Sequence, residues 1–275
     1  MSRIYKILQF LSIDVALGSV ASSILAVKVS GARLPVAYWF ILPLCVWIIY
    51  TADHLLDALK TKENSTMERH FFHYIHRKTF MFFLVLTCLL SILLIINYLG
   101  RTATFFGVII VSFIVIYLLL NRFRSQLFTY FPKEIVIALG YMAGTWGIPL
   151  LLRYSFLNRT DLFIFVTHFL VILSIPLLYS IYEVDADKTA GFVSFATTFG
   201  VKTAEIAVST LLVISSIFSI VVLFTVHYMS GFILMAMSGS LFVVLLFQNK
   251  LGVKDYYRTI SDSITFLPFL LLVKL

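Results

Sequence analysis

The chain has 275 residues, of which 61% are hydrophobic and only 12% are charged, and its mean hydropathy is +1.01. A soluble domain of this length needs far more charge to cover its surface, so the composition excludes a soluble globular protein. The formal net charge is +8. We attribute it mostly to the sidedness of basic residues in a membrane protein and draw no inference of nucleic-acid binding from it.

Apolar runs along the chain predict helices that cross a membrane. Each run holds about 15 to 22 residues, close to what a helix needs to cross the roughly 30 Å hydrocarbon core. The predicted spans are 8–30, 36–56, 79–99, 103–120, 134–152, 161–183, 204–226 and 229–248, with a shorter ninth near 259–275. We therefore expect an all-α, polytopic bundle of about nine transmembrane helices, forming a single domain over residues 1–275.

The apolar runs show no sign of processing or of a disulfide framework. The first run contains Asp14 and lacks a small-residue cleavage site, so we expect a retained helix and not a signal peptide. Cys45 and Cys88 both fall within apolar runs. We interpret them as small packing residues and not as disulfide or zinc ligands.

The basic residues predict the orientation of the bundle. If the N-terminus is cytoplasmic, 15 of the 21 Lys and Arg residues fall on the cytoplasmic side and 6 on the other. Positively charged loops stay inside. We therefore expect a multi-pass protein of the plasma (inner) membrane with its N-terminus and active site facing the cytoplasm.

Acidic residues are rare, and five of the 13 fall into two short groups. Asp53 and Asp57 lie at the end of the second predicted helix, and Glu183, Asp185 and Asp187 lie at the end of the sixth. Asp53 and Asp57 are four residues apart, and so are Glu183 and Asp187. This spacing places both carboxylates of each pair on one helix face. Both helix ends lie on the same side of the membrane, so we predict that the pairs face one cavity.

The two acidic pairs are related by a constant shift of 130 residues, with four predicted helices per interval. This indicates a parallel four-helix pseudo-repeat, as many membrane bundles show. A single carboxylate pair at a helix end is commonly a solvated interfacial feature. Two matched pairs in a chain with so few acids favour a function, because ionisable groups at membrane depth are costly.

Two acidic pairs facing one cavity suit Mg²⁺, which prefers oxygen ligands and is typically shared between a few carboxylates and substrate phosphates. Basic residues on the same side could neutralise the oxygens of a diphosphate and so stabilise it as a leaving group. An apolar bundle with 27 Phe and 14 Tyr residues could hold a lipid tail beside that site.

The first acidic motif resembles that of the UbiA-type intramembrane prenyltransferases, a superfamily that includes 4-hydroxybenzoate polyprenyltransferase-like enzymes. Asp53 and Asp57 match the two aspartates of the family's first motif, and Arg69 matches the arginine of the basic loop that follows. Residues 117–122 match a Tyr-x-x-x-Lys-Arg element at the end of the fourth helix, with Asn121 in place of its lysine.

The second acidic motif carries the more specific resemblance. Glu183 and Asp187 match the acids of the family's second motif, and residues 187–191 match its Asp-Arg/Lys-x-Ala-Gly tail. Three motif positions differ from the family pattern. Glu183 replaces an aspartate. Ile49 lies four residues before the first acid of the first motif, where the family has Asn, and Tyr179 holds the equivalent position in the second motif. The chain is therefore identified as a divergent member, for which reduced or altered activity is an alternative.

The resemblance implies Mg²⁺-dependent transfer of a prenyl group from an isoprenoid diphosphate to a lipophilic or aromatic acceptor, with an aromatic quinone precursor as the default. It implies that Asp53 and Asp57 bind one Mg²⁺ and that Glu183 and Asp187 bind another, with Asp185 as an alternative ligand.

The resemblance also implies that Arg69, Lys188 and Arg122 contact the diphosphate, in falling order of expectation. All three lie on the predicted cytoplasmic side of the bundle, where the acidic pairs also lie.

Two other functions would use some of the same residues. His70, His73 and His76, with His54 upstream, invite comparison with membrane di-iron oxygenases, but these use about eight histidines and the chain has six. A wet interfacial helix explains the histidines more simply. A cation-coupled transporter would use the acids as an ion path, although the clusters lie at one membrane face only.

Overall fold

The structure is a computed structural model that describes residues 3–64, 67–123, 125–129, 131–153, 158–252 and 255–273. These residues fold almost entirely as helices. The α-helices are α1 Arg3–Phe10, α2 Ile13–Ser30, α3 Tyr38–Thr61, α4 Glu68–Ile75, α5 Arg77–Tyr98, α6 Arg101–Phe123, α7 Lys133–Leu151, α8 Arg159–Tyr182, α9 Val184–Ala190, α10 Phe195–Phe199, α11 Val201–Leu223, α12 Tyr228–Leu246, α13 Gln248–Leu251 and α14 Tyr256–Ile264.

Eight of these helices are long and apolar enough to cross a membrane: α2, α3, α5, α6, α7, α8, α11 and α12. They correspond one to one with the first eight spans predicted from hydropathy, and they confirm an integral multi-pass helical bundle. Four of the spans come before residue 130 and four after it, in agreement with the predicted division into two halves.

The ninth predicted helix, 259–275, is not one continuous span. The chain forms the amphipathic α14, turns at Thr265 and Phe266, and continues as a short 3-10 helix over Leu267–Leu272. Pro268 opens the second piece, where it lacks the N–H that a continuous α-helix would need. The apolar part after the turn is too short to cross the hydrocarbon core; Lys274 and Leu275 lie outside the described residues.

Helix α2 lies at the centre of the bundle, whereas α5 lies at its edge. Within the apolar window of α2 67% of residues are buried, compared with 11% for α5. The main core joins α2 to α7, α8, α11 and α12. A buried polar chain crosses this core: the Trp146 indole donates to His168 Nδ1 at 2.9 Å, and His168 Nε2 lies 3.5 Å from the Ser22 hydroxyl.

The alternation of helix directions gathers particular helix ends together. Helices α2 and α7 begin, and α3 and α8 end, at the same end of the bundle, because successive spans run in opposite directions. The short helices α4, α9 and α14 pack around this end. Both acidic motifs therefore reach one end of the molecule, as the sequence predicted.

Helices α11 and α12 approach each other closely at Gly231. A Cβ added there would lie 2.7 Å from the backbone nitrogen of Leu223 and 3.0 Å from the carbonyl oxygen of Ser219. Backbone atoms cannot rotate away, so the close contact requires glycine. Small residues at helix interfaces are a common means of packing in membranes.

We predict that Gly231→Ala destabilises the protein by about 1–3 kcal/mol, because the added methyl group forces the two helices apart. The measurement is thermal unfolding in detergent. Gly239→Ala on the same helix is the matched control, since a Cβ there meets nothing within 4 Å. Equal stability of the two variants would contradict the packing argument.

Candidate active site

A cavity of about 590 Å³ opens between the gathered helix ends, and its wall is strongly acidic. Of the chain's 13 acidic residues, nine line it, and among the described residues three Lys and Arg residues do. The acids are Asp14, Asp53, Asp57, Glu68, Glu134, Glu183, Asp187, Asp255 and Asp262, and the bases are Arg69, Lys133 and Arg258. An anionic ligand would need additional positive charge to bind here.

The two acidic motifs meet across this cavity. Asp53 and Asp57 lie in the last turns of α3, and Asp187 lies in α9. Asp57 is close enough to both Asp53 and Asp187 to feel their charges. Among the described residues, no Lys or Arg side chain forms an ion pair with any of these three carboxylates.

Glu183 differs from the other motif acids because its carboxylate is fully engaged. Arg258 donates to Oε1 from both Nε and Nη2 at 2.6 Å, Tyr257 donates to the same oxygen at 2.6 Å, and Arg69 donates to Oε2 at 3.0 Å. Burial alone would raise the pKa of Glu183, but the two arginines and these hydrogen bonds lower it to about 2. The side chain is therefore an ionised clamp for two arginines.

The clamp depends on how α14 packs. The rings of Tyr182, at the end of α8, and Tyr257 are stacked with their centroids 4.1 Å apart. The Tyr182 hydroxyl in turn donates to the Val244 carbonyl at 2.6 Å. These contacts fix the first turn of α14, and with it Arg258, against the end of α8.

The rest of the second motif is divided between the two faces of α9. Asp187 is buried and lines the cavity, whereas Asp185 and Lys188 are exposed and do not line it. Neighbouring positions on a helix point about 100° apart, so Asp187 and Lys188 cannot face the same way. Burial raises the pKa of Asp187, an effect that Lys133 opposes.

The glycine of the second motif has a structural role. Gly191 ends α9 in the left-handed region, with φ of +65°. Its carbonyl accepts a hydrogen bond from Lys60 Nζ at 2.8 Å, and the same ammonium lies 4.1 Å from the centre of the Phe192 ring. The motif tail thereby ties the end of α3 to α9.

Of the three bases predicted to contact a diphosphate, only Arg69 lines the cavity. Arg122 is exposed, with its guanidinium 6.0 Å from the Phe123 ring, and Lys188 is exposed on α9. The structure therefore does not place Arg122 or Lys188 where either was predicted to contact a diphosphate. Lys133, at the start of α7, takes their place: it lines the cavity and interacts electrostatically with the unpaired motif acids.

Three histidines lie together beside the acids. The ring centroid of His54 lies 6.3 Å from that of His70 and 5.2 Å from that of His73. His76 is exposed. His70 Nε2 accepts from Arg69 Nε at 3.3 Å and lies 3.9 Å from Asp57. Burial lowers the pKa of His70 to about 2, so this contact with Asp57 is not an ion pair.

The donor set fits Mg²⁺ held partly by a substrate. Within the described ranges, no three His, Cys, Asp or Glu side chains converge as a complete metal cage. Mg²⁺ needs no such cage, because it is commonly bound by one or two carboxylates together with waters and phosphate oxygens. Asp53 and Asp57 offer suitable oxygens, and so does Asp187 beside the hydrogen bond that it accepts from Ser194; Glu183, held by its arginines, does not.

A second, apolar cleft of about 480 Å³ adjoins the acidic cavity. It lies between α3, α5, α6 and α7 and is lined almost entirely by aliphatic and aromatic groups, among them Ile49. Tyr50, Asp53, Ile137 and Tyr141 line both spaces. A molecule with a charged head and an apolar tail could therefore occupy the two together.

Sequence reasoning missed several residues that the structure places in the cavity. Arg258, Tyr257 and Asp262 come from α14, which was assigned to a loop and a ninth span. Two signals in the sequence point to them: the four-residue spacing of Arg258 and Asp262, and the single acidic residue, Asp14, in the first apolar run.

The sequence matches no known protein-family profile and no curated protein. The fold, however, matches solved structures of membrane proteins. A UbiA homologue from Aeropyrum pernix K1, solved in the apo state, aligns with a TM-score of 0.66 at 11% identity over 94% of this chain and 96% of its own.

Two further structures agree. A UbiA homologue from Archaeoglobus fulgidus bound to GPP and Mg²⁺ aligns with a TM-score of 0.66 at 12% identity, over 95% of this chain and 97% of its own. A structure concerning digeranylgeranylglyceryl phosphate synthase in membranes aligns with a TM-score of 0.54 at 14% identity, over 98% of both chains. The protein has the UbiA fold, which confirms at the level of fold the resemblance seen in its motifs.

We predict that Glu183→Gln lowers the free energy of unfolding by about 3 kcal/mol, because two largely buried arginines lose their common anion. Thermal and denaturant unfolding in detergent measure the loss. The matched control is Glu63→Gln, the same substitution at an exposed position at the same end of the bundle. If both variants unfold alike, Glu183 does not hold the arginines as described.

Proposed function

We propose that the protein is a divergent UbiA-type prenyltransferase, which moves a prenyl group from an isoprenoid diphosphate to an acceptor inside the membrane. The observation that carries this proposal is the junction between the acidic cavity and the apolar cleft, across shared residues that include Asp53. An isoprenoid diphosphate has a polar head and an apolar tail, and it matches both spaces. The fold is that of a homologue bound to GPP and Mg²⁺.

In the proposed complex the prenyl tail lies in the apolar cleft and the diphosphate lies beside the motif acids. Arg69 and Lys133 line the head-group cavity and would contact diphosphate oxygens. Exclusion of water from the cleft protects a reactive allylic group from hydrolysis.

Asp53, Asp57 and Asp187 would hold Mg²⁺ together with the diphosphate. When bound, the metal neutralises charge on the diphosphate and so stabilises it as a leaving group. Glu183 has a different proposed task from the one that the motif implies: it positions Arg69 and Arg258, which both line the head-group cavity.

We predict that Asp57→Asn and Asp187→Asn each lower prenyl transfer by about 100-fold or more, since each removes a charge that would hold the cation stabilising the leaving group. The assay is diphosphate release and product formation from GPP and Mg²⁺ in reconstituted vesicles. Glu63→Gln serves as the acid-to-amide control. Unchanged turnover in both variants would remove the metal role.

Vesicle assays also separate prenyl transfer from the transporter alternative. Cation-driven uptake by the wild type, without any dependence on an isoprenoid diphosphate, would favour a transporter.

We predict that Gly144→Leu reduces the use of long prenyl donors more than that of GPP, because the new side chain fills part of the apolar cleft. Gly144 lines the cleft, and an added Cβ there meets nothing within 4 Å. Gly239→Leu, on α12 and outside the cleft, is the control. Equal loss with short and long donors would place the tail elsewhere.

A further inference from the structure

The acidic cavity contains a second polar region that neither sequence motif explains. It consists of Ser12 and Asp14, at the start of α2, together with Tyr179 and Asp262, and we call these four residues the acidic subsite. Asp14 and Asp262 are buried, with 3% and 7% of their surfaces exposed, and each feels the charge of the other.

The acidic subsite presents hydrogen-bond acceptors that the protein leaves unused. Asp262 accepts from the Tyr179 hydroxyl at 2.6 Å and from Gln9 at 3.4 Å. Asp14 Oδ1 accepts from the backbone N–H of Val15 at 2.9 Å, but its Oδ2 and the Ser12 hydroxyl have no partner among the described residues. Buried polar atoms are normally paired, so these atoms in a cavity wall indicate a ligand that donates hydrogen bonds.

The backbone at Ser12 supports a role in binding. Ser12 has φ of +53°, a conformation that is uncommon and costly for a residue other than glycine. It occupies the N-cap position of α2, yet its hydroxyl caps no backbone N–H. The strained segment is held from outside, because the Trp47 indole donates to the neighbouring Leu11 carbonyl at 2.8 Å.

The charges of the subsite oppose an anionic ligand. Arg258 acts electrostatically on both Asp14 and Asp262, but its guanidinium is bound to Glu183 and lies 4.2 Å from the Tyr179 ring. Among the described residues, no Lys or Arg forms an ion pair with Asp14 or Asp262. A carboxylate placed here would face the oxygens of two acidic side chains, and like charges brought together repel.

We propose that the acidic subsite binds the acceptor, and that this acceptor is a neutral or cationic alcohol or amine and not an aromatic carboxylate. The inference rests on the proposed prenyl transfer and narrows its substrate class. In the reaction, a lone pair of the acceptor's hydroxyl oxygen, or of an amine nitrogen in its uncharged form, forms a bond to C1 of the prenyl group. The bond from C1 to the diphosphate oxygen breaks, and its electron pair leaves with diphosphate. The acceptor's O–H or N–H proton passes to Asp14 Oδ2 and from there to water.

Three phenols of similar size and different charge test the inference on the full-length protein in lipid nanodiscs: tyramine (cationic), 4-hydroxybenzyl alcohol (neutral) and 4-hydroxybenzoate (anionic). Calorimetry gives the dissociation constant of each, and product analysis with GPP and Mg²⁺ gives transfer. We expect the cationic and neutral probes to bind about tenfold or more tightly than the anion, as like-charge repulsion requires.

The subsite variants locate the source of this preference. Asp14→Asn and Asp262→Asn, singly and together, should each reduce the ratio of cation to anion affinity, with the double variant bringing it to about threefold or less. Ser12→Ala should weaken all three probes without changing their order, because it removes an acceptor but no charge. Glu63→Gln is again the control and should leave the ratio unchanged.

Several outcomes would overturn the inference: tightest binding by the anion, no binding by any probe, a ratio that persists in the double variant, or cleavage of GPP with bound probes that are never prenylated. Failure of the proposed function looks different. In that case GPP is neither bound nor cleaved, while the probes still bind in the expected order through Asp14 and Asp262.

Discussion

The central constraint on this molecule is an excess of negative charge in a cavity enclosed by membrane helices. Among the described residues, nine carboxylates line it and three Lys or Arg side chains do, so its wall holds far fewer bases than acids. Buried charge without a partner is costly in a medium of low dielectric. On the proposed function, cations near Asp53, Asp57 and Asp187 and hydrogen-bond donors near Asp14 would offset this excess. A divalent metal with a diphosphate, and a donor-bearing acceptor, would supply both.

The two acidic motifs occupy equivalent places in the two halves of the bundle, but they do not have equivalent chemistry. In the first half, neither Asp53 nor Asp57 is paired with a Lys or Arg among the described residues. In the second half Asp187 has no Lys or Arg partner among the described residues, whereas Glu183 binds two arginines and a tyrosine hydroxyl. The extra methylene of Glu183, compared with the family's aspartate, lengthens the reach of its carboxylate from α8. Two pairs of the same spacing thus differ: one carboxylate of the second pair binds two arginines, and the other three carboxylates are those proposed to hold the cation.

The parts of the fold that hydropathy could predict are those in which each helix must be apolar by itself. The eight spans follow from that requirement, and the acidic pairs follow from a spacing that fixes helix faces. The sequence does not show which way a side chain points around its helix axis, or which distant segments contact each other. Lys188 and Lys133 lie on the same predicted membrane side, yet only Lys133 faces the cavity. Arg258 reaches Glu183 only because α14 folds back over the cavity, where a spanning helix was expected.

Two of the positions that differ from the family motif, Tyr179 and Glu183, both contact Arg258. Tyr179, Glu183 and Arg258 form a connected group: Glu183 binds the guanidinium, Tyr179 lies against it, and the Tyr179 hydroxyl also holds Asp262. While Glu183 retains Arg258, the acidic subsite keeps its negative charge. If Glu183 released it, Arg258 would be free to pair with Asp262, and the subsite could accept an anion. If the proposed acceptor site is correct, the carboxylate that holds Arg258 sets the acceptor's charge, and the residues Tyr179 and Glu183 favour an altered acceptor over a lost donor site.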